Sequence, residues 1–132
     1  MNRERLKILR DYLASLPDER VNMSAYFCSD DDWLTVDDLS EVPSLLSGCG
    51  TAACVAGWSV FLWGGAGSGD HTDDIAADHL GLSVDQSEDL FRPSGWSINR
   101  QARADVIAAI DSMLANPDDD ALPVWPEKAV SE

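Results

Sequence analysis

The sequence predicts a mainly α-helical, compact domain organised around one buried central helix, and three stretches carry that prediction. Residues 51–63, from Thr51 through Cys54, Gly57 and Trp58 to Trp63, are apolar on nearly every side. Leu6, Leu9, Leu13 and Leu16 recur at helical spacing near the start of the chain. Near its end, the stretch from about Ile98 to Ala115 brings Ala102, Val106, Ala109, Ile110 and Met113 onto one face. The central run is too short to span a bilayer, which needs about 20 apolar residues, and a helix that is apolar all round belongs in a core.

Each element has local signals. The first helix runs from Arg3 to Ser15, with Arg3, Lys7 and Arg10 on a second stripe and Pro17 as its stop. Between Asp18 and Ser47 the helical period weakens. Ser24–Phe27 and Trp33–Val36 are candidates for the strands of a small β-hairpin near residues 24–36, joined by residues 28–32. The alternative there is an aromatic-pinned loop leading into a helical turn around Asp37–Glu41, broken near Pro43. For the central helix, Gly50 permits a sharp entry, Thr51 is the expected N-cap, and Gly64-Gly65 ends it.

A glycine-rich connector, residues 64–69, follows. Thr72 is then the expected cap of a helix carrying Ile75, Ala76, His79 and Leu80, with Gly81 as its C-terminal glycine. Ser83 and Gln86 form a capping box for a short helix presenting Val84, Leu90 and Phe91, closed by Pro93 and Gly95. Asn116-Pro117 ends the last helix. The division expected is a single helical domain over 1–117 and an acidic, Pro-rich tail over 118–132, with Val124 and Trp125 placed to dock on the domain. The expected core is Leu9, Leu13, Trp58, Phe61, Leu62, Val106, Ile110 and Met113.

Charge is the most unusual property of the chain. Its 132 residues carry a formal net charge of -15, which disfavours direct contact with nucleic acid or an anionic membrane and favours basic partners or simple solubility. No Lys or Arg occurs from Val21 to Phe91, although thirteen acids fall there. Ordinary domains interleave the two signs. The first ten residues are interrupted by charge throughout and read as no secretory signal, so a cytoplasmic location is expected. Three cysteines fit a reducing compartment better than a disulfide scaffold.

Several chemical motifs are weak or missing. Cys49 and Cys54 frame the start of the central helix, and Cys54 in its first turn would be placed where the helix dipole favours a thiolate. The alternatives are two small packing residues, or a reversible bridge. A metal site would need His71 and His79 from a distant segment, at a spacing that matches no strong zinc pattern. The glycine run lacks the Gly-Lys-Ser/Thr of a phosphate-binding loop, and Gly57-Trp58-Ser59 lacks the closing glycine of a hydrolase elbow. Neither Asp30-Asp31-Asp32 nor Asp70, Asp73 and Asp74 has the spacing of an EF-hand loop, so no metal or other cofactor is expected.

The segments Cys49-Gly50-Thr51-Ala52-Ala53-Cys54, Ala56-Gly57-Trp58, Leu80-Gly81-Leu82-Ser83 and Leu90-Phe91 resemble a set of small uncharacterised proteins of bacteria and their phages. The resemblance covers residues 47–91. It implies a helical core and a phage or mobile-element origin and brings with it no activity. By association it points to host-directed inhibitors.

The functional expectation is an acidic, non-enzymatic protein-binding module. In its sharpest form this is a phage-derived inhibitor, of anti-defence (anti-CRISPR) or nucleic-acid-mimic type, that occupies a basic nucleic-acid-binding surface of a host protein. The carboxylates expected to meet that partner are Asp30, Asp31, Asp32, Asp37, Asp38, Asp73, Asp74 and Asp78. The competing expectations are a solvated acidic surface of the kind that keeps proteins soluble at high salt, and a small thiol- or metal-dependent protein using Cys49 and Cys54 with a histidine.

Overall fold

The computed structural model describes residues 1–21, 27–29, 32–33, 36–47, 51–91 and 103–125. Within them lie helices α1 (Arg3–Ser15), α2 (Val42–Leu46), α3 (Val55–Trp63), α4 (Thr72–Leu80), α5 (Val84–Phe91) and α6 (Arg103–Ala115), with strands β1 (Phe27–Ser29), β2 (Asp32–Trp33) and β3 (Thr51–Ala53). The protein is mainly helical with one small antiparallel sheet, as its sequence predicts.

The core is assembled around α3. Residues 55–60 of that helix are all buried, and the helix packs against α1, α2, α4 and α5. Helix α1 turns Leu6, Leu9 and Leu13 inward. It starts where the Asn2 side chain accepts a hydrogen bond from the Arg5 N–H (3.1 Å). Helix α6 buries Val106, Ala109, Ile110 and Met113 and packs chiefly on α1 and α5, so it reaches the centre through them. Of the expected core, Leu9, Leu13, Trp58, Val106, Ile110 and Met113 are fully buried, whereas Phe61 and Leu62 are half-buried at the outer end of α3. Residues 98–102, expected as the first turns of the last helix, lie outside the described residues.

The hairpin is present with a correction to its turn: Cys28, Ser29 and Asp32, expected in the connection, belong to its strands, and Val36, expected in a strand, does not. Cys28 pairs with Trp33 and Ser29 with Asp32, leaving residues 30–31 as the connection. Ser24, Ala25, Tyr26, Leu34 and Thr35 lie outside the described residues. Residues 51–53 require a correction. They form a third strand antiparallel to β1, with Phe27 opposite Ala53, Cys28 opposite Ala52 and Ser29 opposite Thr51. Thr51 is therefore not a helix cap; Cys54 stands at that position, extended, and α3 begins one residue later. Helix propensity loses here to pairing, because β1 satisfies the backbone of three residues that are buried on both faces.

Three further boundaries differ. Leu39–Glu41 form a single 3-10 turn that continues into α2, where Pro43 occupies the first turn and opens the helix instead of breaking it. Thr72 is the first residue of α4 and not its cap; its hydroxyl donates back to the Gly69 carbonyl of the preceding 3-10 turn. Of the pair expected to dock from the tail, Trp125 is buried and donates from Nε1 to the Asp89 carbonyl (2.9 Å), but Val124 faces solvent.

Two signals are realised as read. Gly81 adopts a left-handed conformation (φ 64°), and the N–H groups of Gly81 and Leu82 return to the Asp78 and Ala77 carbonyls, closing α4 in a Schellman arrangement. At α5, Ser83 N donates to Gln86 Oε1 (3.0 Å) while Gln86 N donates to Ser83 Oγ (3.2 Å). The buried Gln86 amide also donates to the Asp119 and Ala121 carbonyls (2.9 and 2.8 Å), so the cap of one helix holds the turn that follows α6.

Gln86→Ala removes the cap partner and both anchors. It is expected to cost about 2 kcal/mol in urea unfolding and to expose residues 118–125 to protease before the domain unfolds. A Cβ at Gly69 would stand 2.5 Å from the Val36 carbonyl oxygen. Gly69→Ala should therefore lose about 1–3 kcal/mol, whereas Ala66→Gly, at an exposed position of the same connector, should stay within about 1 kcal/mol of the parent.

Candidate protein-binding surface

The acidic residues are presented by two segments that the backbone ties together. Asp38 caps the 3-10 turn that buries Leu39; its carboxylate accepts from Ser40 N (3.0 Å), and bonding to Ser40 holds its carboxyl below the usual range. Leu39 N donates to the Gly67 carbonyl and Gly69 N to the Val36 carbonyl, both at 2.8 Å. The glycine connector thus lies along residues 36–39, which sets Asp37 and Asp38 beside the start of α4. Asp73 and Asp74 occupy the first turn of that helix, where its positive end favours them, and Asp78 follows one turn after Asp74.

Asp37, Asp38, Asp74 and Asp78 are exposed, and Asp73 is half-buried. Asp32 lies on β2, a separate element of the small sheet, and Asp30 and Asp31 lie outside the described residues. Helix α5, packed on α4, adds exposed Asp85 and Glu88, which were not among the expected site residues. The sequence signal for the junction was the glycine run itself, because close approach of two backbones at Gly69 leaves no room for a side chain.

Four of the five arginines among the described residues are engaged away from these carboxylates, and the fifth, Arg5, reaches into the central span, donating to the His79 carbonyl at the end of α4 (3.2 Å). Arg3 pairs with Asp119 (2.8 Å) and donates to the Leu114 and Asn116 carbonyls at the end of α6. Arg10 grips both oxygens of Asp111 (2.9 and 3.3 Å) and touches Asp11. Arg103 pairs with Asp18 (2.7 Å) and donates to the Ala14 carbonyl at the end of α1. Arg20 donates to the Leu46 carbonyl at the end of α2 and lies over Trp58. These cations satisfy carbonyls at helix C-termini, those of α2 and α4 within the acidic span included, and carboxylates outside it. Within that span His71 approaches Asp74 at 3.9 Å, with both side chains largely exposed, and such a contact contributes little.

The cysteine reading is corrected at Cys54. Its thiol is buried, and burial pushes it up to about 12, with the Asp73 charge adding to the rise against weaker N–H contacts from Gly57 and Ala56. It is a neutral packing group, not a helix-activated thiolate. Cys49 lies outside the described residues. His71 is exposed, and His79 Nε2 is engaged with the Gly64 carbonyl (2.6 Å). Among the described residues no three His, Cys, Asp or Glu side chains are grouped to hold a metal ion, and no helix is long and apolar enough to cross a membrane. No family model, curated protein or solved structure matches the chain.

The raised Cys54 thiol makes a signed prediction. A group protonated more tightly in the folded state stabilises below its unfolded value, near 9, and loses that contribution as pH rises towards the folded value. Stability should fall by about 1.4 kcal/mol per pH unit from this one group within that window. Cys54→Ala should flatten the slope by one proton in pH-dependent urea melts, and at pH 8 folded Cys54 should resist iodoacetamide until the chain is unfolded.

Proposed function

We propose that the protein is a non-enzymatic binding module whose acidic surface, centred on Asp37, Asp38, Asp74 and Asp78, docks on a basic face of another protein, in its sharpest form the nucleic-acid-binding face of a host protein inhibited by a phage-derived factor. The observation that carries this reading is the segregation of charge. The described arginines pair with acids outside the central span and with helix-end carbonyls, among them those of Leu46 and His79 within it, and none of them pairs with Asp37, Asp38, Asp74 or Asp78, which stand where the sequence places no Lys or Arg.

A one-signed surface of this kind steers a basic partner from a distance and rejects acidic ones, acting more on association rate than on the stability of the bound state. The carboxylates sit on a capped turn and on a closed helix, so their positions are set by backbone bonds and little ordering is lost on docking. Repulsion by the same carboxylates disfavours nucleic acid as a direct ligand.

Asn is as good an N-cap as Asp. Replacing Asp37, Asp38, Asp74 and Asp78 together by Asn is thus expected to leave the thermal midpoint nearly unchanged. In affinity capture from host lysate at low salt, the parent should retain a discrete basic protein that elutes in a salt gradient. With that partner purified, the fourfold variant should associate at least about tenfold more slowly and with a shallower salt dependence. Equal capture by parent and variant would remove the acidic surface from consideration.

A further inference from the structure

Arg5 projects from the first turns of α1 towards the end of α4 and is half-buried there. Its guanidinium lies 5.5 Å from the centre of the Trp63 ring, donates from Nη1 to the His79 carbonyl (3.2 Å) and approaches His79 Nδ1 at 3.4 Å. On the far side of the imidazole, Nε2 is 2.6 Å from the Gly64 carbonyl oxygen. A carbonyl can only accept and a guanidinium can only donate. The two contacts together therefore define one tautomer, with hydrogen on Nε2 and the lone pair of Nδ1 turned to Arg5. The ring in this arrangement is neutral.

We propose that Arg5, His79 and Trp63 form an acid-sensitive joint between α1 and the α3–α4 pair, closed while His79 is neutral and released when the ring takes up a second proton. That proton can go only to Nδ1, where it replaces the acceptor facing Arg5 with a donor and sets two like charges in contact. The imidazolium keeps its bond to Gly64 and gains from the negative end of α4. Arg5 is the group that gives way, leaving the Trp63 face for solvent.

No carboxylate of the described residues pairs with Arg5 or His79. Before α1 stands the Met1 α-amino group, a further positive charge, and on α1 exposed Glu4; on α4 the nearest carboxylates along the helix are exposed Asp78 and Asp74; α5, packed on α4, carries exposed Asp85 and Glu88; the end of α3 brings the Trp63 ring and the Gly64 carbonyl. Next to the joint, Asn2 N donates to the Leu80 carbonyl (2.7 Å), so release of Arg5 loosens the start of α1 where it meets the end of α4. The device operates whether or not the acidic surface has a partner.

The test is nuclear magnetic resonance on the full chain between about pH 8 and pH 5, the span in which an imidazole changes charge. At the upper end, the ring nitrogens of His79 should report hydrogen on Nε2, and the side-chain methylenes of Arg5 should be shifted by the Trp63 ring current. Acidification should remove about half or more of that shift, comparable to the loss of one ordinary hydrogen bond. His79→Gln offers a carbonyl to Arg5 and an N–H to Gly64 without changing charge, and it should keep the shift at both ends. Hydrogen on Nδ1 at neutral pH, a pH-independent shift in the parent, or the same loss in His79→Gln would each overturn the joint; the first two are read on the parent alone, so they decide even if the variant does not fold.

Discussion

Everything in this fold answers to the need to bury α3. The helix has no polar face, and Trp58, one of its two tryptophans, is wholly enclosed. An indole N–H enclosed without an acceptor is costly, and here it donates to the Arg20 carbonyl (2.8 Å). The same residue returns its guanidinium to the Trp58 ring at 5.3 Å. Phe61 meets the ring edge-on and Tyr12 of α1 tilts against it at 5.6 Å. Residues 12, 20 and 61 are thus positioned by one side chain. The small sheet serves the same end, because β3 delivers the chain into α3 already buried.

The economy of cations follows from the packing. With nine Lys and Arg against 24 acids, the chain uses four of its five described arginines where a backbone carbonyl has no helical partner left, Arg10 being held by carboxylates instead. The ends of α1, α2, α4 and α6 each receive a guanidinium. A fork of five donors can serve a carbonyl and a carboxylate together, which a lysine cannot do with the same geometry. None of these guanidinium groups pairs with Asp37, Asp38, Asp74 or Asp78, which stay exposed.

The legible parts of the sequence were those in which local chemistry and tertiary structure agree. The leucine repeat of α1, the Ser83–Gln86 box and the Gly81 terminus each state one backbone geometry, and each is found. The illegible parts were those decided at long range. Thr51-Ala52-Ala53 joins an apolar run that continues as a helix, and only the distant Phe27–Ser29 segment makes it a strand. The apposition of Asp37 and Asp38 with the start of α4 depends on Gly67 and Gly69 meeting Val36 and Leu39, a contact with no periodicity to reveal it. Gln86 was read as a cap; its second task, holding residues 119–121, lies on the far side of its amide. Charge segregation was visible as composition, but its cause, arginines drawn to helix ends, was not.

The seam between α1 and α6 bears on how the chain folds. Arg10 and Asp111 are 101 positions apart, and Arg103 and Asp18 are 85 apart, so the first and last helices can meet only after most of the chain has been gathered between them. Small helical proteins owe their speed to local contacts, and closing a long loop delays this one towards the rates of mixed α/β domains. That closure buries the apolar faces of both helices, and the ion pairs at its exposed rim set the register in which they meet more than they hold it. The two ends of the chain are thus joined by the same burial that encloses Trp58.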